Sequence, residues 1–223
     1  MSEPADAGPV LVSRNDFPAL FDALRAASYR LIGPTRRDQA IVYDRIESVD
    51  DLPIGWGDEQ GPGAYRLKAR DDRALFGFNL GPDSWKKFLH QPVITLWHAE
   101  RGEQGMRFSV PENGAPKQAF IGIRSCELHA IAIQDRVLAG QGCVDPHYAA
   151  RRKNIFTVAV QCMQAASSCF CTSMGTGPEV DSGYDLKVSE LIDSEGHRFL
   201  FQAGSEEAAA IRDSDLGDPK ARN

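Results

Sequence analysis

The chain has 223 residues, 42% of them hydrophobic and 25% charged, the profile of a folded globular protein rather than a disordered or fibrous one. With 25 Lys+Arg against 31 Asp+Glu the formal net charge is -6, so no broad positive field exists to hold nucleic acid or an anionic membrane. The start, MSEPADAGPVLVSRNDF, has neither a basic nor an apolar leader region, and no apolar run approaches the roughly 20 residues needed to cross a bilayer. The expected location is the cytoplasm.

In chain order, Asn15 to Ala27 places Phe17, Leu20, Phe21 and Leu24 at helical spacing, with Pro18 in the first turn, and predicts an amphipathic helix. Strand-like runs follow at Tyr29 to Ile32, Ala40 to Ile46, Ala64 to Ala69 and Ala74 to Asn79. The last two are expected to pair as a hairpin through Arg70-Asp71-Asp72-Arg73, while Asp50 to Gly63, rich in proline and glycine, reads as a loop. Asp83 to His90 predicts a short helix with Trp85 and Leu89 on one face, and Val93 to Trp97 a strand.

Glu100 to Lys117 is polar and glycine-rich, which divides the chain into an N-terminal α+β subdomain (1–105), a second α/β subdomain (117–205) and a C-terminal tail (206–223). In the second, Ala119 to Ile123 and Ile155 to Val160 are continuously apolar and flank a helical segment, Glu127 to Leu138. Two apolar strands around a helix are the pattern of a parallel βαβ unit covered on both faces. Period-2 patterning returns at Leu186 to Val188 and Arg198 to Gln202. The fold class is α/β, with mixed α+β character.

The five cysteines are Cys126, Cys143, Cys162, Cys169 and Cys171, all within one 46-residue stretch. Clustered thiols in a chain large enough to fold without disulfides point to metal or redox chemistry. In a parallel unit the carboxyl ends of the strands share one edge of the sheet. Cys126 lies three residues beyond the first apolar strand and Cys162 two beyond the second, and Cys169 and Cys171 complete a C-x6-C-x-C run. Four thiolates can therefore surround one site.

Structural zinc prefers C-x2-4-C pairs, which are absent here, although His129 or His147 offers a substitute ligand. The separate irons of a cluster tolerate irregular spacing, so one [4Fe-4S] cluster on Cys126, Cys162, Cys169 and Cys171 is favoured, with zinc as the alternative. Cys126 at a helix start is expected to favour the thiolate form. Gly175 and Gly177, within Thr172 to Gly177, are expected to let backbone N–H groups approach sulfur, the alternative being a plain turn. Arg124 and the run Arg151, Arg152, Lys153 are candidates for balancing a negative cluster or docking a carrier, against a reading of the run as a solvated loop. Cys143 is the spare thiol. Cys126 with His129 also admits a nucleophile reading, which leaves three cysteines without a role.

The strings FIGIRSCELHAIAIQDRVL, DPHYAARRKN and CFCTSMGTGPEVDSGYDLKVSEL, with GPDSWKKFLHQP and LW upstream, resemble an iron–sulfur electron-transfer subunit family. That family includes one of the subunits of anaerobic sulfite reductase and the beta subunit of sulfhydrogenase. The match runs from about Tyr65 to Glu190, and CFCTSMGTGP is its most specific element. The resemblance implies electron relay from or to a flavin or pyridine-nucleotide reductase subunit, with a hydrogenase or sulfite reductase catalytic subunit at the other end. The family usually continues into a two-cluster ferredoxin-like segment, whereas no cysteine follows Cys171. The resemblance thus implies either a shortened chain or a separate ferredoxin-like partner, with reaction chemistry carried by other subunits.

Overall fold

The computed structural model describes residues 8–79, 81, 83–102, 105–110, 114–140 and 142–215. The elements are β1 (Val10–Ser13), α1 (Pro18–Ala26), β2 (Arg30–Arg37), β3 (Ala40–Arg45), β4 (Trp56–Gly61), β5 (Ala64–Ala69), α2 (Lys86–Leu89), β6 (His98–Gly102) and β7 (Gly105–Ser109). They continue with β8 (Gln118–Ile123), α3 (Ser125–Leu138), α4 (Pro146–Lys153), β9 (Ile155–Val160), α5 (Cys171–Met174), β10 (Leu186–Asp193), β11 (Gly196–Ala203) and α6 (Glu206–Asp215).

One seven-stranded sheet has the order β1-β11-β10-β9-β8-β2-β3. Its centre is a parallel block, β10, β9, β8 and β2, while β11, β1 and β3 join antiparallel. The expected βαβ unit is therefore present, and the fold is α/β. Strands from residues 1–105 and from 117–205 share this sheet.

Side-chain alternation along the strands creates two apolar layers. Phe156, Val158 and Val160 of β9 face one layer, with Phe17, Leu20, Phe21 and Leu24 of α1 and Ala208 and Ile211 of α6. Ile155 and Ala159 face the other, with Leu128 and Ile131 of α3, Tyr148 of α4 and Trp85. Trp85 stacks between Tyr43 and Phe120, with ring centroids 4.0 and 4.6 Å apart. Leu89 is buried beside it, as the shared face with Trp85 predicts.

The connections depart from expectation in three places. Ala74 to Asn79 does not pair with β5, whose partner is β4 from the segment read as a loop. The amides of Leu75 and Phe76 instead donate to the buried Glu190 carboxylate at 2.7 and 3.0 Å, and that of Asn79 to Asp58. Carboxylates thus take the place of a strand ladder, which no periodicity reveals. Val93 to Trp97 has no ladder partner among the described residues, and the strand begins at His98. The hairpin of β6 and β7 projects from the body with every residue exposed, and Trp97 meets Phe108 edge-on at 5.4 Å. β1 lies where no strand was expected. The hairpin predicted in the second half is β10 and β11, and the helix-prone start of the tail is α6; the rest of the tail, 216–223, lies outside the described residues.

Candidate metal centre

The site begins with a bulge. Between Ile121 and Ile123 the pairing of β8 with β9 shifts register at Gly122, whose φ is +88°. A Cβ there would stand 3.0 Å from the Phe76 ring. Only glycine suits both the conformation and the space, and the bulge redirects the chain into α3. Arg124 is the N-cap, its amide donating to Glu127 Oε2 at 2.9 Å. The helix therefore begins at Ser125, and Cys126 occupies its first turn.

Cys162 follows β9, adjacent and parallel to β8, so both thiols leave the sheet at the same carboxyl edge. Cys171 opens α5, which closes on left-handed Gly175, φ +62°. Gly177, φ +152°, brings the returning chain back: a Cβ on it would lie 3.5 Å from Cys171 Sγ and equally close to Ser125 Cβ. Gly177 thereby fits the Cys171 turn against the start of α3. Cys169, exposed, accepts the Ala166 N–H at 3.3 Å, and Cys162 Sγ donates to Gln164 O at 3.4 Å.

Burial pushes the Cys126 thiol up to about 11, helped by Glu127, Cys171 and Cys162. The direction is opposite to the thiolate expected from its helix position, and burial is the leading cause. A raised thiol pKa lowers the thiolate fraction at neutral pH, which weighs against the nucleophile reading. A bound cation inverts this balance and draws the proton off. Fully buried Glu127 is raised to about 7 by desolvation, with Tyr43 O–H donating to it at 2.8 Å.

Among the described residues, no three or more His, Cys, Asp or Glu side chains stand together at metal-holding distance. The structure brings Cys162 and Cys171 into electrostatic range of Cys126 and leaves Cys169 exposed two residues from Cys171. In donor chemistry the set fits a thiolate-bound iron–sulfur group, since all the cysteines are free and three segments bring sulfur to one edge.

The other candidates sit elsewhere. α3 spans about 20 Å at 1.5 Å per residue, and at its far end Asp145 N–H bonds to Leu138 O. Exposed Cys143 lies in that connection, and His147 opens α4. The 151–153 run is the last turn of α4 rather than a loop, and Arg152 pairs with Asp135 at 3.0 Å. It leads into the amino end of β9, the edge opposite the thiols. Arg124, in contrast, is buried beside Cys126.

Several residues at the site had no sequence signal. Ser167 Oγ donates to Gln60 O at 2.8 Å, and Arg70 Nη1 to Gln164 Oε1 at 2.7 Å, so the β4–β5 hairpin braces the loop between Cys162 and Cys169. Gln161 links the neighbouring segments. None of these belongs to a motif.

Fold and site define an α/β chain with free thiols at the carboxyl edge of a parallel block. The chain is similar to Sulfhydrogenase 2 subunit beta of Pyrococcus furiosus, with 29% identity over 195 residues that cover 83% of this chain and 49% of that relative. This likeness supports the sulfhydrogenase beta-like family resemblance drawn from the sequence. The chain spans about half the length of the curated relative it matches. No family model and no solved structure matches it. Among the described residues, no helix is long and apolar enough to cross a membrane.

Proposed function

We propose that the chain is an iron–sulfur electron-transfer subunit of a cytoplasmic hydrogenase-type oxidoreductase complex, with one [4Fe-4S] cluster on Cys126, Cys162, Cys169 and Cys171. The observation that supports this reading is that Cys126 and Cys162 follow adjacent parallel strands at one carboxyl edge of the sheet, with Cys171 also within electrostatic range of Cys126. Likeness to a sulfhydrogenase beta subunit supports a hydrogenase-type catalytic partner. A flavin or pyridine-nucleotide reductase subunit and a separate ferredoxin-like protein complete the proposed chain of carriers, a sulfite reductase catalytic subunit being the alternative to the hydrogenase.

When bound, such a cluster supplies a one-electron carrier whose potential follows burial, charge and hydrogen bonds to sulfur. This chain's residues then have separable tasks. The cysteines supply negative sulfur, and buried Arg124 places a permanent positive charge beside that set. Gly177 admits Cys171 close to the start of α3. Exposed Met163, Phe170 and Met174 keep the thiol edge open to a docking partner.

Anaerobic purification tests the reading. The protein is expected to be brown, to contain iron and acid-labile sulfide, and to bleach with dithionite. Cys169→Ser should remove most of the colour and Cys143→Ser none. A colourless parent holding one zinc per chain overturns the electron-transfer role, and colour surviving loss of Cys126 overturns the ligand assignment.

A further inference from the structure

Gln161, between β9 and Cys162, is bonded to three segments around the thiols: β10, the chain before Cys126 and the chain beyond Gly177. Its amide donates to Val188 O of β10 at 2.8 Å, and its carbonyl accepts Arg124 Nη1 at 3.1 Å. Its carboxamide reaches the third segment: Nε2 donates to Pro178 O at 3.3 Å, and Oε1 accepts the Val180 N–H at 3.2 Å. Arg124, 4% exposed, also donates Nη2 to Phe76 O at 2.6 Å and Phe78 O at 3.0 Å. Its Nε has no acceptor among the described residues.

We propose that Gln161 and Arg124 form a clasp that sets the spacing of Cys126, Cys162 and Cys171, with Gln161 as the positioning residue for the sulfur set. Arg124 joins the chain just before Cys126 to the chain just before Cys162. The Gln161 carboxamide joins the latter to the segment just beyond Gly177, which packs on Cys171. Gln161 is only half-buried, so deleting its carboxamide leaves both apolar layers intact. Groups that orient metal ligands in this way typically control metal affinity by about 10- to 100-fold. The purpose of the clasp rests on the cluster reading, but its geometry belongs to the metal-free chain.

The test compares the full chain with Gln161→Ala and Gln161→Glu, the latter keeping an acceptor for Val180 N–H. In metal-free protein, hydrogen exchange at the Val180 amide and iodoacetamide labelling of Cys171, relative to Cys143, are followed by mass spectrometry. Both are expected to speed up in Gln161→Ala and to return toward the parent in Gln161→Glu, while the urea midpoint stays near that of the parent. Anaerobic titration with Co(II) alone, read by the sulfur-to-cobalt absorption, should show affinity falling at least about 10-fold in Gln161→Ala. Unchanged Cys171 labelling overturns the clasp, as does a labelling change accompanied by a matching loss of global stability. If the parent gives no cobalt–thiolate band, labelling alone decides the clasp, while iron and acid-labile sulfide content decide the cluster reading.

Discussion

Gly122 shows how one residue governs the site. Its bulge lets β8 end with Arg124 buried and Cys126 in the first turn of α3, and its positive φ and the nearby Phe76 ring together exclude a side chain. Gly122→Ala combines left-handed strain with a contact that must move aside, at a cost of about 1–3 kcal/mol. Urea denaturation should show that loss, and an unchanged midpoint would mean the bulge relaxes freely. Cys126 makes the complementary point about charge. Sequence position alone suggested a thiolate, whereas burial first, and then the neighbours Glu127, Cys171 and Cys162, push the thiol upward.

At the scale of elements, caps and buried carboxylates replace what periodicity cannot specify. Asp145 caps α4, accepting N–H bonds from His147 and Tyr148 at 2.9 and 3.1 Å. The Tyr148 N–H is the leading cause that holds its carboxyl below the usual range. Asp145→Ala should cost about 1 kcal/mol. The folded pKa is lowered, so this contribution is complete above the unfolded value near 3.9 and is lost as pH falls through the folded one. Urea midpoints of parent and variant should differ at pH 7 and converge toward pH 3; a constant gap would assign the effect to packing instead. Glu190 performs a comparable task for Leu75 and Phe76, and so an expected hairpin strand became a loop segment held by a carboxylate.

For the whole molecule, the order of the sheet matters most. β2 and β3 from the first part lie beside β8, and β1 beside β11, so the sheet crosses the proposed subdomain boundary. Equilibrium urea unfolding should therefore give a single transition in which tryptophan fluorescence and far-ultraviolet circular dichroism coincide. Two resolved transitions would instead support independent units at 1–105 and 117–205. The same topology separates the cysteines, with Cys126 and Cys162 at the carboxyl edge and Cys143 beyond the far end of α3.

Much of this was legible because hydrophobic period and strand-end position are local properties. The apolar runs around β8 and β9 specified a parallel βαβ unit, and the offsets of Cys126 and Cys162 from those runs specified a common edge. Side-chain bonds to remote backbone leave no period in the sequence, so Gln60, Arg70 and Gln161 carried no signal. The pairing of β4 with β5 depended on a turn inside a glycine-rich segment that resembled a loop. By itself, then, the sequence determined the fold class and the sheet edge that Cys126 and Cys162 share. Only the tertiary structure decided that partial burial and neighbouring groups raise the Cys126 thiol, and that Gln161 and Arg124 bond across the segments around it, because desolvation and long-range hydrogen bonds exist only once distant segments pack.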